Sequence, residues 1–239
     1  MLIAANPFVN AYLIADWFGK GIFWTLFLLS AVSWTILLFK CWQLVQIRRL
    51  SRDFAHLFFE QKDSPLNFQY SRSPQSRWTE VPHPYFEVYK TAKQNVLQLI
   101  NRNHALRAEG PVTLSSADLD LIETQTSAAA AAHCKVLDKN IFVLSTVVTL
   151  GPFMGLLGTV WGILLTFSQL PHGLSTSNGA MLTGLSMALA TTVIGLVIAI
   201  PALVGYNYLK SAGRDYKREL EHFVRLLLAS IEMQYRRDG

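Results

Sequence analysis

Residues 140–209 read NIFVLSTVVTLGPFMGLLGTVWGILLTFSQLPHGLSTSNGAMLTGLSMALATTVIGLVIAIPALVGYNYL, without a single Asp, Glu, Lys or Arg. Only residues 171–178, PHGLSTSN, interrupt the apolar character. A helix needs about 20 apolar residues to cross the hydrocarbon core. The run therefore predicts two spans, 140–170 and 180–209, joined by a tight hairpin at 171–179. A second uncharged run, 21–39 between Lys20 and Lys40, predicts a further span at 21–41. The later two spans reach on the order of 45 Å at about 1.5 Å per residue, so they tilt or project beyond the bilayer. The expected fold is all-α: three transmembrane helices, the second and third extended into the cytoplasm.

Composition agrees with that reading. Of 239 residues, 51% are hydrophobic and 15% charged, against about 25% charged in an ordinary soluble domain. This excludes a disordered chain and argues against a soluble enzyme. Basic residues set the orientation. Segment 40–139 holds 13 of the 21 Lys and Arg, the tail 210–239 holds seven, and the 171–179 hairpin holds none. The loop 42–139 and the tail are expected in the cytoplasm, with segment 1–20 and the hairpin outside. Cys41 and Cys134 form no disulfide framework and suit reduced thiols.

The N-terminal segment has no basic region or cleavage site of a secretory signal. Asn6-Pro7 reads as an N-cap and first helical residue. Phe8, Tyr12 and Trp17 suit a short helix along the outer interface, and simple disorder is the alternative. Residues 60–84, with Pro65, Pro74, Pro82 and Pro84, read as a loop, and 85–107 as a helix. Ser115 or Ser116 caps a further helix whose start Asp118 and Asp120 favour through its dipole. No Pro or Gly interrupts 117–140, so one helix is expected to run from there into the second span. In the tail, Leu220, Phe223, Val224, Leu227, Ile231 and Tyr235 form one helical stripe. Packing against the 117–139 helix or a neighbouring subunit is expected, with a membrane-surface anchor as the alternative. His133, Cys134 and Asp138 lack metal-ligand spacing. No residue set points to a metal, a cofactor, catalysis or nucleic acid.

The chemistry lies on helix faces. Gly151, Gly155, Gly158 and Gly162 share one face of the second span, a ridge that lets another backbone approach closely. The third span offers a matching strip: Gly184, Ala188, Thr192, Gly195, Ala199 and Ala202. Thr159 lies beside the ridge, Thr192 lies within the strip, and Thr166 shares a face with Thr159. Two readings are open. Such threonines commonly bond their own backbone and small faces commonly serve packing; alternatively, hydroxyls from two helices line a narrow polar passage. No ionisable side chain lies at mid-membrane depth in any span. Proton relays usually need one there, so the chain is either a scaffold or takes its titrating group from a partner.

GLLGTVWGI at 155–163, ALATTVIGLVIAIPA at 188–202 and Tyr206-Asn207 resemble the signatures of the TolQ/ExbB/MotA proton-channel family. The likeness is closest to the TolQ and ExbB branch, which Ser33-Trp34 also resembles, and the short N-terminal segment tilts it toward TolQ. The resemblance implies a multi-pass inner-membrane protein of a Gram-negative bacterium. It implies a homopentamer whose second and third spans line a pore around a TolR- or ExbD-like single-span partner. That partner supplies an intramembrane Asp, and protons pass between it and a ring of threonines. Here the family's two threonines fall on Thr159 and Thr192. The proton motive force would then do work on the cell envelope, in outer-membrane integrity and division or in energised import. One position departs: Met187 stands where the family usually has Glu. Three spans rather than four argue against a flagellar stator. The alternative function is an oligomeric scaffold that assembles through the small faces without conducting ions.

Overall fold

The computed structural model describes residues 7–60, 66, 68, 83–106, 114–168 and 177–235. Six helices are present among them: α1 (Pro7–Ile14), α2 (Trp17–Glu60), α3 (Pro84–Leu106), α4 (Ser116–Asp138), α5 (Ile141–Ser168) and α6 (Ser177–Tyr235). Three helical stretches, Trp17–Glu60, Ser116–Ser168 and Leu182–Tyr235, are long and apolar enough to cross a membrane. The all-α fold with three candidate spans is thus present. Most of the expected loop 60–84 and hairpin 171–179 lies outside the described residues, as does Asn6.

The chain divides into two compact units, residues 1–40 with 140–209 and residues 41–139 with 210–239. In the first, Pro7 opens α1, where its fixed φ and missing N–H cost nothing. Asp16 then caps α2 by accepting from the Gly19 N–H at 3.0 Å, so α2 starts four residues before the expected span. Ile22, Leu26, Val147, Ile198 and Ala202 form a small buried cluster. Outward, Trp24, Phe27, Phe153, Phe167, Leu182 and Val197 are exposed. Helices that remain apolar on their outer faces are those of a membrane segment.

The second unit has an aromatic core. Phe54, Phe58, Phe68, Tyr85, Tyr89 and Phe223 are buried in one cluster, with Tyr85 stacked on Phe223 at 4.6 Å between ring centres. Of the tail stripe, Leu220, Phe223, Val224, Leu227 and Ile231 are buried in this core and Tyr235 packs at its edge. The Ser51 and Tyr216 hydroxyls share a buried 2.8 Å hydrogen bond, and Arg48 Nη2 donates to the Ala212 carbonyl at 3.0 Å. Ser115 is the N-cap of α4. Its backbone N–H is accepted by Asp118 Oδ2 at 3.2 Å, and Asn103 Nδ2 donates to the same carboxylate at 3.1 Å, tying α3 to the start of α4.

One expectation is corrected. The helix from 117 does not continue into the second span: α4 ends at Asp138, and α5 starts at Ile141. Between them Asn140 has φ 70°, in the left-handed region that Asn tolerates better than most residues. The break needs neither Pro nor Gly, the two signals on which the expectation rested. We expect Asn140→Gly to preserve thermal stability and Asn140→Val to lose roughly 1–2 kcal/mol; equal melting of the two variants would contradict the conformation.

Burial pushes the Tyr85 hydroxyl, further raised by Glu219 and Cys134, from 10 up to about 12. Burial alone does the same for Tyr89. The Tyr216 hydroxyl is raised further, with burial outweighing the opposing Ser51 hydrogen bond. An acid raised on folding stabilises the native state fully below its unfolded value. That contribution fades as pH climbs from 10 through about 12. Helical circular dichroism should therefore hold up to pH 10 and fall together with tyrosinate formation above it. Ionisation of every tyrosine at the usual midpoint, with helicity intact, would contradict this core.

Candidate functional site

The ridge of α5 and the strip of α6 face each other. A Cβ added at Gly162 would lie 2.5 Å from the Gly184 carbonyl oxygen and 2.9 Å from Ala188 Cβ. At Gly195 it would lie 2.5 Å from the Gly151 carbonyl oxygen. At Gly155 it would meet the Thr192 Cα at 3.0 Å, and at Gly151 the Gly195 carbonyl at 3.0 Å and Ala199 Cβ at 3.4 Å. Gly158 abuts the Thr191 side chain, and Gly184 abuts the Thr166 hydroxyl. Two antiparallel backbones thus meet along a seam that leaves no room for a methyl group at Gly158, Gly162, Gly184 or Gly195. Such close approach is how membrane helices gain dispersion energy when hydrophobicity gives no preference between helix and lipid.

The threonines take distinct places. The Thr192 hydroxyl is half-buried and lies across the seam, 3.2 Å from the Gly155 carbonyl, with its own Ala188 carbonyl at 3.4 Å. Thr159 is half-buried, and its hydroxyl donates to the Leu156 carbonyl at 2.7 Å in an exposed hydrogen bond. Thr166 donates to the Gly162 carbonyl at 2.9 Å. In each case the proton is held by a carbonyl while the oxygen keeps lone pairs to accept another proton donor. Thr192 therefore belongs to the α5–α6 contact, whereas Thr159 offers a hydroxyl on an open side of α5. Met187 is buried, and its Sδ would lie 2.6 Å from a Cβ at Gly19.

Two residues were not singled out from the sequence. Thr191 is fully buried and bonds the Met187 and Ala188 carbonyls; it, rather than Thr192, fills the notch at Gly158. Its place beside Thr192, one step off the strip, was the available signal. Asp16 is the other. Trp161 Nε1 donates to its carboxylate at 3.2 Å and 3.1 Å to the two oxygens. The cap spacing from Asp16 to Gly19 marks the helix start, but nothing local marks the distant tryptophan.

With this geometry in place, comparison with known proteins is informative. Residues 92–222 match the MotA/TolQ/ExbB proton channel family, a stretch that includes the whole seam. The chain is 41% identical over 81 residues to the biopolymer transport protein ExbB of Aquifex aeolicus, covering 34% of this chain and 55% of that protein. It is 35% identical over 136 residues to ExbB of Salmonella typhimurium, covering 54% of each. It is also 35% identical over 95 residues to the Tol-Pal system protein TolQ of Haemophilus influenzae, covering 38% of this chain and 42% of that protein. The chain spans about half the length of the relatives it matches.

The seam makes a graded prediction. Gly195→Ala should force the helices apart and cost about 1–3 kcal/mol, as overpacking does. Gly21→Ala, with nothing within 4 Å of the added carbon, should be neutral or gain roughly 0.5–1 kcal/mol from helix propensity. Thermal unfolding in detergent measures both, and equal tolerance would refute the close approach.

Proposed function

The chain belongs to the MotA/TolQ/ExbB proton channel family, and from that membership we propose that it is the channel subunit of a bacterial inner-membrane energy-transducing complex. In this reading the positive-inside pattern places the tail and residues 42–139 in the cytoplasm. Several copies, five by the family resemblance, surround the single span of a TolR- or ExbD-like partner. The partner's carboxyl carries the proton, because residues 140–209 hold no acid. The Thr159 and Thr192 hydroxyls are its stations. Each can accept a hydrogen bond from the protonated carboxyl or donate one to the carboxylate, which lowers the cost of a charge in the membrane. One proton crossing 100 mV releases about 2.3 kcal/mol, available for work on the cell envelope. The relatives carry both ExbB and TolQ names, so the proposal stops at what those systems share.

The observation that carries this reading is the Thr159 hydroxyl, held in an exposed hydrogen bond on α5 within a charge-free segment matched to a proton channel family. The scaffold alternative relied on Gly151, Gly155, Gly158 and Gly162 as an association face. That face is occupied by α6 of the same chain.

Magnitude separates function from packing. A hydrogen bond across membrane helices is worth about 0.6 kcal/mol on average. Thr192→Ala should therefore insert and assemble normally yet fail in proton-dependent work, and Thr159→Ala should do the same. Thr192→Ser and Thr159→Ser should retain activity. The measurement is proton flux in membranes alongside the amount of assembled complex. Full activity from both alanine variants would sink the assignment.

A further inference from the structure

The junction of Asp16, Gly19, Trp161 and Met187 ties the start of α2 to both helices of the seam. The Asp16 carboxylate accepts from the Gly19 N–H at 3.0 Å and from Trp161 Nε1 at 3.1 Å. The Trp161 ring lies on Phe18 at 4.4 Å between centres. Buried Met187 reaches over Gly19 from α6. It is neutral where the family resemblance leads one to expect Glu, so residue 187 sets no second carboxylate against Asp16.

Along the seam the rotation of α5 is restrained by small contacts, Thr191 in the notch at Gly158 and Thr192 on the Gly155 carbonyl; a larger side chain held outside the seam adds a longer lever. On α5 the largest polar anchor outside the ridge is Trp161. Thr159 lies two residues away, roughly 200° around the helix at about 100° per residue. Holding the indole on one side of α5 therefore sets the direction in which Thr159 points on the other. From this we infer that Asp16 is a positioning residue of the proton pathway: it acts through Trp161 to set the rotation of α5 and the presentation of Thr159. The inference rests on the proposed function of Thr159, and the test separates the two.

Asp16→Asn can keep an oxygen at the Oδ1 position, which accepts from Gly19 at 3.0 Å and from Trp161 at 3.2 Å, and loses the second acceptor of the indole; Asp16→Ala keeps none. Trp161→Phe keeps the ring on Phe18 and loses the donor. Each is made in the full chain, assembled with its partner in membranes. Two quantities are read: proton flux, and the rate at which a membrane-impermeant maleimide labels Thr159→Cys, against a blank without that cysteine. Asp16→Ala and Trp161→Phe should assemble, change the labelling rate and cut flux by about tenfold or more, as small misplacements of reacting groups do. Asp16→Asn should keep both within about threefold of the parent. Loss of flux in Asp16→Asn with unchanged labelling would overturn the inference, because Asp16 would then act through its charge. Unchanged labelling in Asp16→Ala would overturn it as well. Changed labelling with parental flux in Asp16→Ala would support the hold of Asp16 on α5 through Trp161 and instead overturn the role of Thr159.

Discussion

Everything in the membrane unit depends on the contact between two backbones. The α5–α6 seam leaves no space for a methyl group at Gly162 or Gly195, where a carbonyl oxygen already stands 2.5 Å from the place a Cβ would take. In water such a contact would be a poor use of surface, since glycine buries little apolar area. In a bilayer the comparison changes, because lipid tails satisfy large apolar side chains as well as protein does. Close approach is then what distinguishes a helix from its solvent. Many large residues of α5 and α6, such as Phe153, Leu156, Val160, Leu189 and Val197, are accordingly turned outward, and the small ones are paired.

The other unit solves the opposite problem. Its helices gain from removing aromatic rings from water, so Phe54, Phe58, Tyr85, Tyr89 and Phe223 gather inside. Among the polar groups drawn in with them, Ser51 is paired with Tyr216. The contrast explains why one chain carries both a glycine-rich and a phenylalanine-rich code. Each is the economical choice for its own surroundings.

Much of this was legible in the residues. The absence of charge from 140–209 marked the spans, and helical spacing picked out the ridge, the strip and the tail stripe. What periodicity does not encode is register between two faces. The strip contains Thr192, and Thr191 lies one step to its side, yet the fully buried hydroxyl is that of Thr191. A single residue of rotation decides which hydroxyl fills a notch and which crosses to Gly155. The Asp16–Trp161 bond was invisible for a related reason: it joins residues 145 positions apart, and neither is unusual in its own neighbourhood. Asn140 escaped because its left-handed φ reflects tolerance rather than a demand, so its residue type alone did not announce a break.

The pairing order along the seam also bears on how the protein is made. Gly162 meets Gly184, then Gly158 meets Thr191, Gly155 meets Thr192 and Gly151 meets Gly195. Each contact encloses the one before it and a slightly longer stretch of chain. Loop closure costs least for the shortest enclosed segment and rises only slowly thereafter. Two newly inserted helices can therefore zip from the inner pair outward, every step shortening the search for the next. Antiparallel small-residue faces in this arrangement encode an assembly sequence as well as a resting contact, and they do so with residues that carry almost no side chain.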